Sequence, residues 1–82
     1  IVPLQINILL NIGRFYYLQS EFDKALANFT DALKQSEMAG NKSSISLSKL
    51  QIAKVYLIKE DYPKALSYAL SILDIAKSLK II

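Results

Sequence analysis

The chain has 82 residues, of which 52% are hydrophobic and 21% charged, and its formal net charge is +3. A chain of this length forms one small domain with a marginal core, which leaves little room for an enzyme cleft. Cysteine and histidine are absent, which removes thiolate chemistry, the commonest metal ligand and the commonest general base. We therefore expect no catalysis, no cofactor and no metal.

Membrane insertion is not expected, because no uncharged apolar run approaches the roughly 18 residues that a membrane-spanning helix requires. Residues 1–20 do not resemble a signal peptide. The cytoplasm is the default expectation for the compartment, and the periplasm stays open because a cysteine-free chain suits both. The first residue is isoleucine rather than methionine, so we expect the chain to be part of a longer protein.

The first predicted helix starts near Pro3, whose missing donor is harmless in a first turn, and runs to about Gln19. Apolar residues on two of its sides predict that it is sandwiched between neighbours. The second helix follows Ser20, which we expect to cap it, with Asp23 three residues on as an approximate capping box. Its apolar residues follow at helical spacing as one stripe: Phe22, Ala25, Leu26, Phe29, Ala32 and Leu33.

The third predicted helix begins after a turn. Gly40 and Asn41 are the residue types that end a helix in a left-handed conformation. We expect Ser43 or Ser44 to cap the third helix, which runs to about Lys59.

The fourth predicted helix starts at Asp61 as its cap, with Pro63 in its first turn. Its apolar stripe matches that of the second helix position for position: Tyr62, Ala65, Leu66, Ala69, Ile72 and Leu73. No segment alternates polar and apolar residues for long, which argues against strands. The predicted fold is all-α, with two tandem antiparallel helix pairs joined by short loops.

The sequence repeats itself with a period of 40 residues. Gly13 is followed by Ala53, and Ala25 by Ala65, at that same interval within similar surroundings. A period in this range is typical of stacked helical repeats, which usually bind other proteins. We divide the single domain 1–82 into unit one at about 6–41 and unit two at about 46–80.

The repeated residues resemble the tetratricopeptide repeat family. The first unit fills the family pattern with Leu9, Ile12, Gly13, Tyr16, Ala25, Phe29 and Ala32. The second unit gives Ile52, Ala53, Tyr56, Ala65, Ala69 and Ile72 and departs from the pattern at Lys49, Ala69 and Ile72. The resemblance implies a short right-handed solenoid. The period is longer than the family's usual 34 residues.

The resemblance also implies that the first helix of each pair lines a concave side that binds a peptide or partner segment. The candidate contact residues are Asn7, Leu10, Asn11, Arg14 and Tyr17 in unit one, and Leu47, Leu50, Gln51, Lys54 and Leu57 in unit two. Amides, apolar side chains and two cations at these positions suit an extended acidic peptide or a free C-terminal carboxylate. The expected partner is therefore a protein or peptide.

Three other readings of the chain remain to be weighed. The basic balance raises nucleic acid as a partner, but the lysines are scattered and several have acids within helical reach, so we expect none. The last helix is rich in apolar residues and predicts either self-association through Ile75, Leu79 and Ile82 or coverage by further repeats of a parent chain. A sensor part of a larger regulator would also use such repeats.

Overall fold

The computed structural model describes residues 4–79, which form four α-helices and no β-strand within that range. The helices are α1 (Leu4–Leu18), α2 (Phe22–Ala39), α3 (Lys42–Ile58) and α4 (Tyr62–Ser78). Each helix packs along the next one in the chain, and α1 also touches α3 lightly. The predicted all-α fold of two consecutive helix pairs is confirmed.

The core lies between α1, α2 and α3, where small residues let the helices approach. Ala25 is fully buried in α2, and Ala65 is the equivalent buried residue of α4. The ring of Phe29 is fully buried against Gly13, the position on α1 that has no side chain. The predicted packing roles of these small residues and of Phe29 are therefore confirmed.

The loop after α1 corrects the expectation that Ser20 caps α2. Ser20 has a φ of 61°, and its backbone N–H donates to the carbonyl of Tyr17 at 3.0 Å, while the N–H of Glu21 donates to Tyr16 at 2.9 Å. This double bond pattern with a left-handed residue is a Schellman motif, which closes the end of a helix. Ser20 therefore terminates α1, and Glu21 precedes α2 without a side-chain capping bond.

The other two loops end their preceding helices in the same way. Gly40 has a φ of 65° and closes α2, as its residue type predicted, and Glu60 has a φ of 61° and closes α3. Asn41 caps α3, because its Oδ1 accepts a hydrogen bond from the Ser44 N–H at 3.0 Å. The expectation that Ser43 or Ser44 would be the cap was wrong, since α3 begins one turn earlier.

The start of α4 follows the prediction. The Asp61 side chain accepts a hydrogen bond from the backbone N–H of Lys64 at 3.3 Å, and Pro63 lies in the first turn. A carboxylate at this place satisfies a backbone donor that has no partner within the helix.

One side of α1 is exposed rather than sandwiched. Ile6, Leu10 and Gly13 are buried on the side that meets α2 and α3. The opposite side carries five large apolar residues, each between 40% and 79% exposed: Leu4, Ile8, Ile12, Phe15 and Leu18. The expectation that α1 is covered on both sides is therefore wrong for residues 4–79. We call these five residues the α1 outer stripe.

Candidate functional site

The first helices of the two pairs lie side by side and share one surface. The Nζ of Lys54 on α3 lies 5.4 Å from the ring centroid of Tyr17 on α1, which is within the range of a cation–π contact. The Tyr17 ring in turn meets Phe22 edge-on, with the two centroids 5.7 Å apart. These contacts hold the end of α1, the start of α2 and the middle of α3 together.

Eight of the ten predicted contact residues retain at least partial exposure on α1 and α3. Asn7, Asn11, Arg14, Leu50, Lys54 and Leu57 are exposed, and Tyr17 and Leu47 are half-buried. We call these eight residues the α1/α3 face. It combines amides that can bond a peptide main chain, apolar side chains, and the two cations Arg14 and Lys54.

Leu10 and Gln51 were predicted as contact residues but belong to the packing. Leu10 is 2% exposed and Gln51 is 6% exposed, whereas the positions 40 residues away, Leu50 and Asn11, are exposed. Stacking explains this inversion, because position 10 is turned toward unit two and position 51 toward unit one. Their equivalents have no neighbour among residues 4–79, so the same repeat position is buried in one unit and open in the other.

The charges of the chain are segregated between the helices. Four cations and no acid lie on α1 and α3: Arg14, Lys42, Lys49 and Lys54. The rest of the chain holds all seven acids and the other six cations. The whole positive excess of the chain therefore belongs to α1 and α3. Sequence reasoning missed this signal, because it compared each lysine with its own helical neighbours.

The acids elsewhere neutralise nearby lysines. Lys24 Nζ lies 3.1 Å from Glu21 Oε1, and Lys59 forms an ion pair with Asp23. The hydrogen bond with Glu21 and its negative charge raise the pKa of the Lys24 ammonium. By contrast, the part of the chain that the structure describes offers no acidic partner to Arg14.

The comparison with protein families decides which kind of repeat this is. The model of the tetratricopeptide repeat matches residues 4–78, which is nearly the whole chain. The chain belongs to the tetratricopeptide repeat family. No curated protein and no solved structure matches it significantly. Family membership identifies this tetratricopeptide chain as a protein–protein interaction module, and the two helix pairs are its repeats.

Other kinds of site leave few traces in the tetratricopeptide chain. Over residues 4–79, no group of three or more acidic, histidine or cysteine side chains could hold a metal ion. No helix in that range is both long and apolar enough to cross a membrane. A cavity of about 230 Å³ opens between α1 and α2, away from the α1/α3 face, and is lined by Gln5, Ile6, Gln35, Met38 and Ala39.

The predicted self-association residues lie at the end of α4. Ile75 is half-buried, Leu79 is 41% exposed, and Ile82 lies outside the described residues. Self-association stays a prediction. Sequence reasoning missed a larger apolar surface on another side of α4, where each residue is between 40% and 60% exposed: Tyr62, Leu66, Leu70 and Leu73. We call these four residues the α4 outer stripe.

Proposed function

We propose that the chain is a non-catalytic module that binds an extended acidic peptide segment of a partner protein along the α1/α3 face. The observation that carries the proposal is the segregation of charge, with four cations and no acid on the two helices that form this face. A surface of one sign attracts ligands of the opposite sign and orients them during encounter.

The arrangement of Arg14 and Lys54 suits carboxylates. They occupy equivalent places in the two units, one helix apart, and both are exposed. An arginine can bond a carboxylate with two parallel N–H groups, whereas a lysine acts as a point charge. The Lys54 ammonium above the Tyr17 ring is held in place by the cation–π contact.

The remaining residues suit the rest of an extended peptide. Asn7 and Asn11 present amides that both donate and accept hydrogen bonds, as a peptide main chain requires. Leu50 is 46% and Leu57 52% exposed, so each offers apolar area for a peptide side chain. The molecule measures 35 × 30 × 17 Å, and an extended peptide of about nine residues would span 30 Å at roughly 3.3 Å per residue.

Panning a random peptide library of about this length against the chain tests the proposal. We expect the recovered peptides to combine glutamate or aspartate with aliphatic residues, and their affinity, measured by fluorescence anisotropy, to fall as salt increases. The double substitution Arg14→Glu and Lys54→Glu should weaken binding by about tenfold or more, which is at least about 1.4 kcal/mol.

The matched control is Lys34→Glu with Lys77→Glu, because both lysines are exposed on α2 and α4 and the net charge changes equally. We expect the control to weaken binding by no more than about twofold. Equal losses in the two double variants would show that only the net charge matters. The recovery of neutral or basic peptides would contradict the acidic ligand.

A further inference from the structure

The contact between α2 and α3 provides a reference for judging the exposed ends of the molecule. α3 has two buried sides. Tyr56 stacks on Tyr68 of α4 at 6.0 Å, and Lys49 donates to Ser71 of α4, so this side of α3 faces α4. The other buried side of α3 faces α2, its second neighbour: Ser44, Ser48, Ile52 and Val55.

The α1 outer stripe is a copy of the α3 side that α2 covers. Four of its members lie 40 residues before the four buried residues of α3: Leu4, Ile8, Ile12 and Phe15 correspond to Ser44, Ser48, Ile52 and Val55. The copies on α1 are exposed, and those on α3 are fully buried. The stripe is thus one half of a repeat contact without its other half among residues 4–79.

The α4 outer stripe copies the matching side of α2. Tyr62, Leu66 and Leu73 correspond to Phe22, Leu26 and Leu33, which are half-buried and packed against the core. The fourth member, Leu70, corresponds to Thr30, which is exposed on α2. The chain therefore holds both halves of the α2–α3 contact a second time, one half at each end of the stack.

The chemistry of the two stripes is the opposite of what solvent exposure favours. Leu4 and Ile8 are exposed where the buried copies are serines, and Leu70 is exposed where α2 has threonine. A surface adapted to water would be more polar than its buried copy. Apolar patches of roughly a few hundred Å² on a small protein mark interaction surfaces.

We propose that the α4 outer stripe of one chain docks on the α1 outer stripe of a second copy, which repeats the α2–α3 contact between molecules. A second copy is the occupant because the two halves are complementary by descent from one contact and every molecule carries both. Such a heterologous contact does not close on itself, so assembly continues from dimers to longer stacks. The proposal depends on stacking and is independent of peptide binding at the α1/α3 face.

Sedimentation of the chain over a wide concentration range tests the proposal. We expect the mean mass to rise with concentration, with a dissociation constant on the order of 10–100 μM for a contact of this size. Ile8→Glu with Phe15→Glu blocks the α1 outer stripe, and Leu66→Glu with Leu70→Glu blocks the α4 outer stripe. All four positions are exposed, so the helices should persist, which circular dichroism checks.

Mixing the two blocked variants identifies the geometry. Each should be monomeric alone, since it lacks one half of the contact, and an equimolar mixture should form a dimer that does not grow further. Ser67→Glu is the control, because Ser67 is exposed on another side of α4, and it should assemble like the original chain. If either glutamate pair unfolds the chain, the same positions changed to glutamine replace it.

Three outcomes would overturn the proposal. The original chain could stay monomeric up to about 1 mM, far above the expected dissociation constant. The variant blocked on α1 could still dimerise alone, which would mean that two α4 outer stripes pair with each other. The mixture could remain monomeric although the original chain assembles, which would place the contact on other residues.

Discussion

The contact between Gly13 and Phe29 allows the closeness of the first helix pair to be tested by one methyl group. A Cβ at position 13 would lie 2.5 Å from Cε1 and 2.7 Å from Cδ1 of Phe29, well inside the roughly 3.5–4.0 Å of a normal carbon contact. Phe29 is fully buried, so its ring cannot move into solvent. Gly13→Ala must therefore displace either the ring or the helix, and such overpacking costs about 1–3 kcal/mol.

Helix propensity opposes part of this loss, because alanine is about 0.8–1.0 kcal/mol more favourable than glycine inside a helix. We therefore expect Gly13→Ala to lower the free energy of unfolding by about 1 kcal/mol. Urea denaturation followed by circular dichroism measures this difference, and the melting temperature should fall by about 4–8 °C for a chain of this size.

Removing the ring should reverse the sign of the effect. In a Phe29→Leu background, Gly13→Ala should raise the free energy of unfolding by about 0.5–1 kcal/mol, since only the propensity difference remains. Unit two supplies the control, because Ala53 and Ala69 occupy the equivalent positions and Ala53→Gly should lose about 1 kcal/mol. If Gly13→Ala stabilised the original chain as much as the Phe29→Leu variant, the close contact would be refuted.

Three further substitutions test the loops and the contact between α2 and α3, each by urea denaturation. Ser20→Gly should raise the free energy of unfolding by up to about 1 kcal/mol by removing left-handed strain at a φ of 61°; a decrease would contradict this. Gly40→Ala should lower it by about 1 kcal/mol, because alanine would adopt a φ of 65° with no atom within 4 Å of its Cβ to compensate. Ser48→Ala should raise it by about 1 kcal/mol, since the buried Ser48 hydroxyl lacks a hydrogen-bond partner within residues 4–79; a loss would reveal an important bond of that hydroxyl.

The sequence predicted the elements of the fold because the signals for them are local. Helical spacing of apolar residues predicted four helices, and the repeat of 40 residues paired them. Asp61 and Gly40 acted as the cap and the helix end that their residue types indicate. Ser20 failed as a cap because α1 ends in a Schellman motif whose left-handed residue is not glycine, and residue type alone gives no sign of that.

The candidate site was less predictable because burial depends on stacking. The repeat made Leu10 equivalent to Leu50 and Asn11 equivalent to Gln51, yet one member of each pair is buried. Equivalence along the sequence does not include the presence of a neighbour on one side. The same effect hid the α1 outer stripe, since its residues resemble core residues in every pattern that the sequence offers.

The most direct test of the central claim is to map where an acidic peptide binds on the chain. The backbone amides of the nitrogen-labelled chain would be followed by nuclear magnetic resonance during titration with a peptide recovered from the library. We expect the largest shift changes at Asn7, Arg14, Leu50 and Lys54, with little change along the solvent side of α2. Changes concentrated on α2 or α4, with the α1/α3 face unaffected, would contradict the account.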